Sequence, residues 1–160
     1  MEPRSSRIFW AAGDDGVIFV WDFEGRELRR FTGRHPVAGR GVLSIAVSED
    51  GRRLASAGAD TVRYWDAVSG RQLWSGDERA FEHVAVSPDG TWVLAVSSDV
   101  DPRIPTGLSI LDGTSGREVH IVPTKTRLRC AVFSPDGRRV LTGGDRGAMR
   151  LLDFQALELY

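Results

Sequence analysis

The sequence predicts an all-β protein assembled from a repeated unit of four short antiparallel strands. Two independent markers recur along its 160 residues with nearly the same period. The first is the turn Ser-x-Asp-Gly, which starts at Ser48, Ser87 and Ser134, at spacings of 39 and 47 residues. The second is an aromatic residue or leucine followed by aspartate, at Asp22, Asp66, Asp112 and Asp153. Such a shared period indicates a repeat architecture.

Four short apolar runs per period predict the strands, taken here in chain order. We expect first strands at 42–47, 81–86 and 128–133, and second strands at 53–57, 92–96 and 139–142. We expect third strands at 61–65, 108–111 and 148–152, and fourth strands at 72–74, 118–122 and 156–160. Proline and glycine in the Ser-x-Asp-Gly turns favour tight reversals. No segment shows helical periodicity, and the first repeat opens at 7–10 with a match to a second strand.

Composition excludes several classes of protein. The net charge of −1 argues against a general nucleic-acid binder, since phosphate binding needs surplus cations. The single cysteine, Cys130, argues against a disulfide scaffold. The apolar run at 8–12 is too short for a signal peptide or a membrane span, so we expect a soluble, cytoplasmic chain.

Sequence motifs for catalysis and for metal or cofactor binding are absent. The chain has no H-E-x-x-H, no paired C-x-x-C, no phosphate-binding glycine loop and no G-x-S-x-G. We therefore expect no metal, no cofactor and no enzymatic activity. Twenty of the 21 basic residues are arginine, which is typical of a GC-rich bacterial genome rather than of nucleic-acid binding.

The period and the Trp-Asp at the end of the third strand resemble the WD-repeat β-propeller family over nearly the whole chain. The second repeat is most similar, in Gly33-Arg34-His35, in 54–60 and in 61–66. The resemblance implies a hydrogen-bonded network within that blade, formed by His35, Ser56, Asp60 and Trp65. A buried aspartate is costly unless hydrogen-bond donors surround it, which gives such a network its physical sense.

By this resemblance the chain is a single region, 1–160, of about 3.75 blades. Blade 1 is partial at 7–33, and blades 2, 3 and 4 cover about 34–77, 78–124 and 125–160. Family propellers usually close with seven or eight blades, so this is about half a ring with an apolar sheet face at each end. Three completions stay open, namely a homodimer of eight blades, a different chain, and the rest of a longer gene product.

The function that the resemblance implies is a non-catalytic protein–protein interaction scaffold. The insertion at 99–107 and the starts of the first strands would lie on one face and dock an acidic or polar protein segment. The residues predicted for that face are Arg34, Arg40, Asp99, Asp101, Arg103, Lys125, Arg127 and Arg129.

Two alternatives to the scaffold stay open. One is a regulatory or ligand-sensing half-propeller of a larger bacterial signalling protein. The other is a small-molecule or enzymatic site in the propeller channel, for which Ser44, His83 and Cys130 are the candidates. The simpler interpretation makes His83 a half-buried channel residue and Cys130 a half-buried packing residue. By their repeat positions, Trp21 and Trp65 are expected in the core.

Overall fold

The computed structural model describes residues 8–31, 41–97 and 107–157, which form four antiparallel sheets in chain order. The first sheet contains β1 (Ile8–Ala12), β2 (Ile18–Asp22) and β3 (Glu27–Phe31). The second contains β4 (Val42–Val47), β5 (Arg53–Gly58), β6 (Val62–Asp66) and β7 (Gln72–Ser75). The third contains β8 (Phe81–Val86), β9 (Trp92–Ser97), β10 (Gly107–Asp112) and β11 (Glu118–Pro123). The fourth contains β12 (Leu128–Phe133), β13 (Arg139–Gly144) and β14 (Met149–Asp153).

The all-β prediction and the four-strand unit are confirmed. β1 pairs with β2 in the position of a second strand, so the first sheet lacks an inner strand among the described residues. The fourth strand predicted at 156–160 is wrong where the structure describes it. Ala156 and Leu157 lie in a turn in which the Leu157 N–H donates to the Phe154 carbonyl at 3.3 Å, and 158–160 lie outside the described residues. Local hydrogen bonding and the inward packing of Phe154 bend the chain away from β14.

The Ser-x-Asp-Gly turn has the same hydrogen bonds in all three copies. In the second copy, the Ser87 hydroxyl donates to Asp89 Oδ1 at 2.6 Å and accepts from the Trp92 N–H at 2.9 Å. Gly90 has a φ of 74°, which an L-residue rarely adopts. Burial raises the pKa of Asp89 and of its equivalents in the other two turns, most strongly at Asp89, but the hydrogen bonds together outweigh it and lower all three pKa values. The turn is thus determined by residues close together in sequence, and it holds the first and second strands of each blade side by side.

The aspartate of the second marker organises the next turn in the same way. Asp112 Oδ1 accepts from the Ser115 hydroxyl and from the N–H groups of Thr114 and Ser115, at 2.7–3.0 Å. These hydrogen bonds lower the pKa of the Asp112 carboxyl, with the Ser115 hydroxyl as the largest cause. Asp66 repeats the arrangement with Ser69. The marker therefore connects each third strand to its fourth.

Apolar cores fill the space between consecutive sheets. Trp65 is buried in the second sheet and meets Phe31 of the first edge-on, with ring centroids 5.5 Å apart. Tyr64 points the other way, where its hydroxyl donates to the Gly90 carbonyl of the third sheet at 2.6 Å. Burial raises the pKa of the Tyr64 hydroxyl, so it remains a donor. Trp21, expected in the core, is only half-buried because no described sheet precedes the first.

A hydrogen bond crosses the second sheet at two of the four predicted network positions. Trp65 Nε1 donates to the buried Ser56 Oγ at 3.0 Å. Asp60 pairs with Arg63 at 2.8 Å. His35 lies outside the described residues, so the complete network stays a prediction.

The substitution Ser56→Ala should destabilise the fold by about 1–3 kcal/mol, because it leaves the buried Trp65 N–H without its acceptor. Urea unfolding followed by circular dichroism would measure the loss. The control is the double variant Ser56→Ala/Trp65→Phe, in which donor and acceptor are both removed. Its cost should be smaller than the sum of the two single costs. Additive costs would contradict a direct Trp65–Ser56 interaction.

Candidate functional site

Two kinds of segment meet at one end of the blades, which we call the upper rim. They are the starts of the first strands and the turns between second and third strands. The Asp145 N–H, in the turn after β13, donates to the Arg127 carbonyl just before β12, at 2.9 Å. Arg129 Nε donates to Asp145 Oδ1 at 2.7 Å. The rim therefore brings together segments that are distant in sequence.

Three of the eight residues predicted for docking, Lys125, Arg127 and Arg129, lie on this rim. The other five lie outside the described residues, and they are Arg34, Arg40, Asp99, Asp101 and Arg103. The insertion at 99–107 lies outside them as well, except for Gly107, which begins β10.

Acidic side chains partly neutralise the arginines on the rim. Arg127 Nη2 donates to Glu82 Oε1 of the neighbouring blade. Arg129 Nη1 lies 3.8 Å from the other oxygen of Glu82. The hydrogen bond from Arg129 lowers the pKa of Asp145, and the same bond raises that of Arg129. The rim is therefore a mixed-charge surface on which Lys125 is exposed.

A cleft of about 600 Å³ opens between blades 2 and 3, and two arginines line it. The side chain of Arg63 is 14% exposed and pairs with Asp60. The side chain of Arg79 is 15% exposed, and its Nη2 donates to Glu118 Oε2 at 2.6 Å and to Ser109 Oγ at 2.8 Å. Both guanidinium groups are thus held in fixed positions by acceptors within the protein.

Each of these arginines also has one guanidinium nitrogen that lacks a hydrogen-bond partner among the described residues. In the part of the chain that the structure describes, Arg63 Nη1 and Arg79 Nε are buried and have no hydrogen-bond partner, and the same is true of Arg127 Nε. A buried donor without an acceptor is unfavourable, so an incoming carbonyl or carboxylate gains free energy when the partly exposed guanidinium group turns that donor toward it. Sequence reasoning missed Arg63 and Arg79, because nothing in a strand or linker pattern shows which acceptors a folded arginine will meet.

A second cavity, of about 480 Å³, is lined by the inner strands β4, β8 and β12 and contains His83. His83 is half-buried as predicted, and burial lowers its pKa. The Ser44 hydroxyl accepts the Val84 N–H at 3.2 Å. Cys130 is exposed, so its prediction as a half-buried residue is wrong: no described sheet covers that side of blade 4. Within the described ranges, no hydrogen bond joins Ser44, His83 and Cys130.

A search of the described residues finds no group of three or more His, Cys, Asp or Glu side chains that could hold a metal ion. The same residues contain no helix long and apolar enough to span a membrane.

The family described as "WD domain, G-beta repeat" matches this chain at residues 25–66 and 116–153, which together make up half of the chain. The chain belongs to the WD-repeat family. It is 28% identical over 154 residues to "DNA damage-binding protein 2" of Bos taurus, covering 93% of this chain and 35% of that protein. It is 37% identical over 97 residues to "Protein groucho" of Drosophila melanogaster, covering 59% of this chain and 13% of that protein. This WD-repeat chain thus spans only a part of either relative.

Protonation of His83 should destabilise the fold below neutral pH. Its pKa in the folded state lies below 6.5, so the unfolded chain binds the proton more readily. The contribution of neutral His83 to the free energy of unfolding is fully present above the pKa of this side chain in the unfolded chain. It is lost as the pH falls through the pKa in the folded state.

The unfolding midpoint in urea, measured at about pH 7.5 and about pH 5.5, should therefore fall more for the wild type than for His83→Asn. The exposed-turn variant Val68→Ala serves as a control and should keep the wild-type pH dependence. An unchanged pH dependence in His83→Asn would contradict the assignment.

Proposed function

We propose that this WD-repeat chain is a non-catalytic protein-interaction scaffold that binds an extended segment of a partner protein on its upper rim. WD-repeat proteins generally act as interaction scaffolds, which is the coarse expectation for this chain. The observation that carries the finer proposal is a set of partly exposed guanidinium groups, at Arg63, Arg79 and Arg127, each of which has one nitrogen without an acceptor among the described residues. Backbone carbonyls and carboxylates of an extended peptide are acceptors of the required kind.

The charges around these donors narrow the chemistry of the partner. Asp60, Glu78 and Glu82 lie among the arginines, so a strongly acidic segment would meet repulsion as well as attraction. A polar segment with few carboxylates fits better. Lys125, Arg127 and Arg129 form the part of this docking surface that adjoins blade 4, and the predicted residues at 34–40 and 99–103 would extend it.

We propose no nucleic-acid partner for the chain. The name of the bovine relative refers to DNA damage, but that protein is nearly three times as long as the matched region. The net charge here is −1, and Arg127 and Arg129 already pair with carboxylates. Phosphate binding requires an excess of free cations, which these pairs do not supply.

A second candidate function is small-molecule sensing in the inner cavity. His83 favours it, because within the described structure the buried Nδ1 atom of this side chain has no hydrogen-bond partner. The walls around it are mostly apolar, as in many ligand sites. Such a site would suit a regulatory half-propeller in a larger signalling protein.

The rim proposal predicts that changing charges on the rim weakens peptide binding. Peptides would be selected on the immobilised chain by phage display, and their affinities would then be measured by calorimetry. The double variant Glu78→Lys/Lys125→Glu changes both sides of the rim and leaves the net charge unchanged. It should weaken binding about tenfold or more, because it alters the charges beside the docked peptide.

The matched control changes charge at the opposite end of the blades. Glu24 and Arg52 are exposed in turns at that end, and Glu24→Lys/Arg52→Glu, which also leaves the net charge unchanged, should leave peptide affinity within about twofold. Loss of binding in this control with full binding in the rim variant would overturn the proposal. Peptide binding that is lost only in His83→Asn would support the inner-cavity candidate instead.

A further inference from the structure

The sheets of blades 2, 3 and 4 carry an equivalent row of three cross-strand neighbours. Each row starts two residues before a Ser-x-Asp-Gly turn and crosses the first, second and third strands in register. The rows are Ala46–Ala55–Tyr64, Ala85–Leu94–Ile110 and Val132–Leu141–Leu151. We call the side that bears this row the trailing face, because in blades 2 and 3 it is turned toward the next blade.

The row on blade 4 is much more exposed than the equivalent row on blade 3. In blade 3 the row is 7%, 0% and 0% exposed, since it packs against Ala131 and Val140 of blade 4. In blade 4 the equivalent residues Val132, Leu141 and Leu151 are 47%, 44% and 62% exposed. Met149, in the neighbouring row, is 74% exposed. A contiguous apolar face of this kind marks an association surface.

The interfaces within the chain show what covers a trailing face. In each case the cover is the opposite, leading face of another blade, such as the face of blade 4 that carries Leu128, Ala131 and Val140. The chain has one leading face that no described blade covers, on blade 1. It carries Phe19 and Trp21, whose rings lie 6.3 Å apart, and the exposed Ala11, and the Arg30 guanidinium lies over the Phe19 ring at 4.9 Å from its centroid. Trp21 stands where blade 2 has Trp65, which is fully buried against Phe31 of the preceding blade.

We propose that a second copy of this chain docks head to tail, with the leading face of its blade 1 on the trailing face of blade 4. Each copy supplies one leading face and one trailing face. A pair that makes the same leading-on-trailing contact twice therefore covers both exposed faces of each copy. The net charge of −1 per chain opposes this pairing only weakly. Apolar burial drives it, as it drives the packing between blades within the chain.

The first test is the solution mass of the full chain by light scattering coupled to size exclusion. The expected species has twice the chain mass of 17.6 kDa. A monomer at all concentrations, or a polydisperse aggregate, would overturn the proposal. Either result would point instead to a cover supplied by further blades of a longer polypeptide.

A matched pair of variants then locates the interface. Leu151→Asp places a carboxylate on the trailing face, and it should raise the dimer dissociation constant about tenfold or more. Val68→Asp changes a residue of equal exposure, 61% against 62%, in a turn of blade 2, and should leave the dimer intact. Circular dichroism would confirm that both variants fold. A dimer that is insensitive to Leu151→Asp would overturn the proposal.

Mixing variants distinguishes head-to-tail pairing from pairing of two trailing faces. Ala11→Arg disturbs the leading face at an exposed position, and it should also weaken the dimer. An equimolar mixture of Ala11→Arg and Leu151→Asp retains one undisturbed pair of faces, so dimers should reappear. Ala11→Arg chains that dimerise as well as wild type, or a mixture that stays monomeric, would overturn the head-to-tail arrangement.

Cys130 offers a readout that needs no substitution. It is exposed on blade 4 and pairs in register with Gly143, which is opposite Met149 on the trailing face. Its alkylation by iodoacetamide should slow severalfold as the chain concentration rises through the dimer transition. An alkylation rate independent of concentration would contradict coverage of this face.

Discussion

Packing of the trailing face of one sheet against the leading face of the next is the interaction on which this structure depends. A sheet of three or four short strands buries little apolar surface on its own, so each blade needs a neighbour. Trp65 and Tyr64 make this visible, because adjacent residues of one strand enter two different cores. The same alternation leaves the trailing face of blade 4 without a cover among the described residues.

Aspartates carry much of the local order without entering the cores. Asp89 and Asp112 each accept hydrogen bonds from a nearby hydroxyl and backbone N–H, which lowers the pKa of both carboxyls. Because these bonds span only a few residues, they need no support from other blades. Turn chemistry can therefore stay constant while the residues between turns vary, as Trp65 gives way to Leu111 and Leu152 at equivalent positions.

The two proposed association surfaces differ in chemistry and so in the partner each would take. The upper rim presents guanidinium groups that are fixed by carboxylates and still have nitrogens without acceptors among the described residues, which suits a polar segment that brings acceptors. The described trailing face of blade 4 presents exposed aliphatic side chains, which suit another sheet face. Occupation of one surface leaves the other accessible, because the rim lies at one end of the strands and the trailing face on their flank.

The sequence by itself determined the all-β class, the bounds of the described strands of blades 2 to 4 to within two residues, and the positions of the turns. Each of these depends on residues a few positions apart, such as Ser87 with Asp89. It also placed Lys125, Arg127 and Arg129 on one end of the blades, because the strand order follows from the repeat. Where the repeat was weakest, at 156–160, the predicted strand failed at Ala156 and Leu157.

Only the tertiary structure decided which side chains are buried and which are paired. Trp21 and Trp65 hold the same repeat position, yet among the described residues only Trp65 has a preceding sheet to cover it. Cys130 is exposed for the corresponding reason at the other end. The partners of Arg79 lie 30 and 39 residues away on β10 and β11, and no local pattern encodes them. Burial and pairing across blades are long-range properties, and the sequence pattern of one repeat does not contain its neighbours.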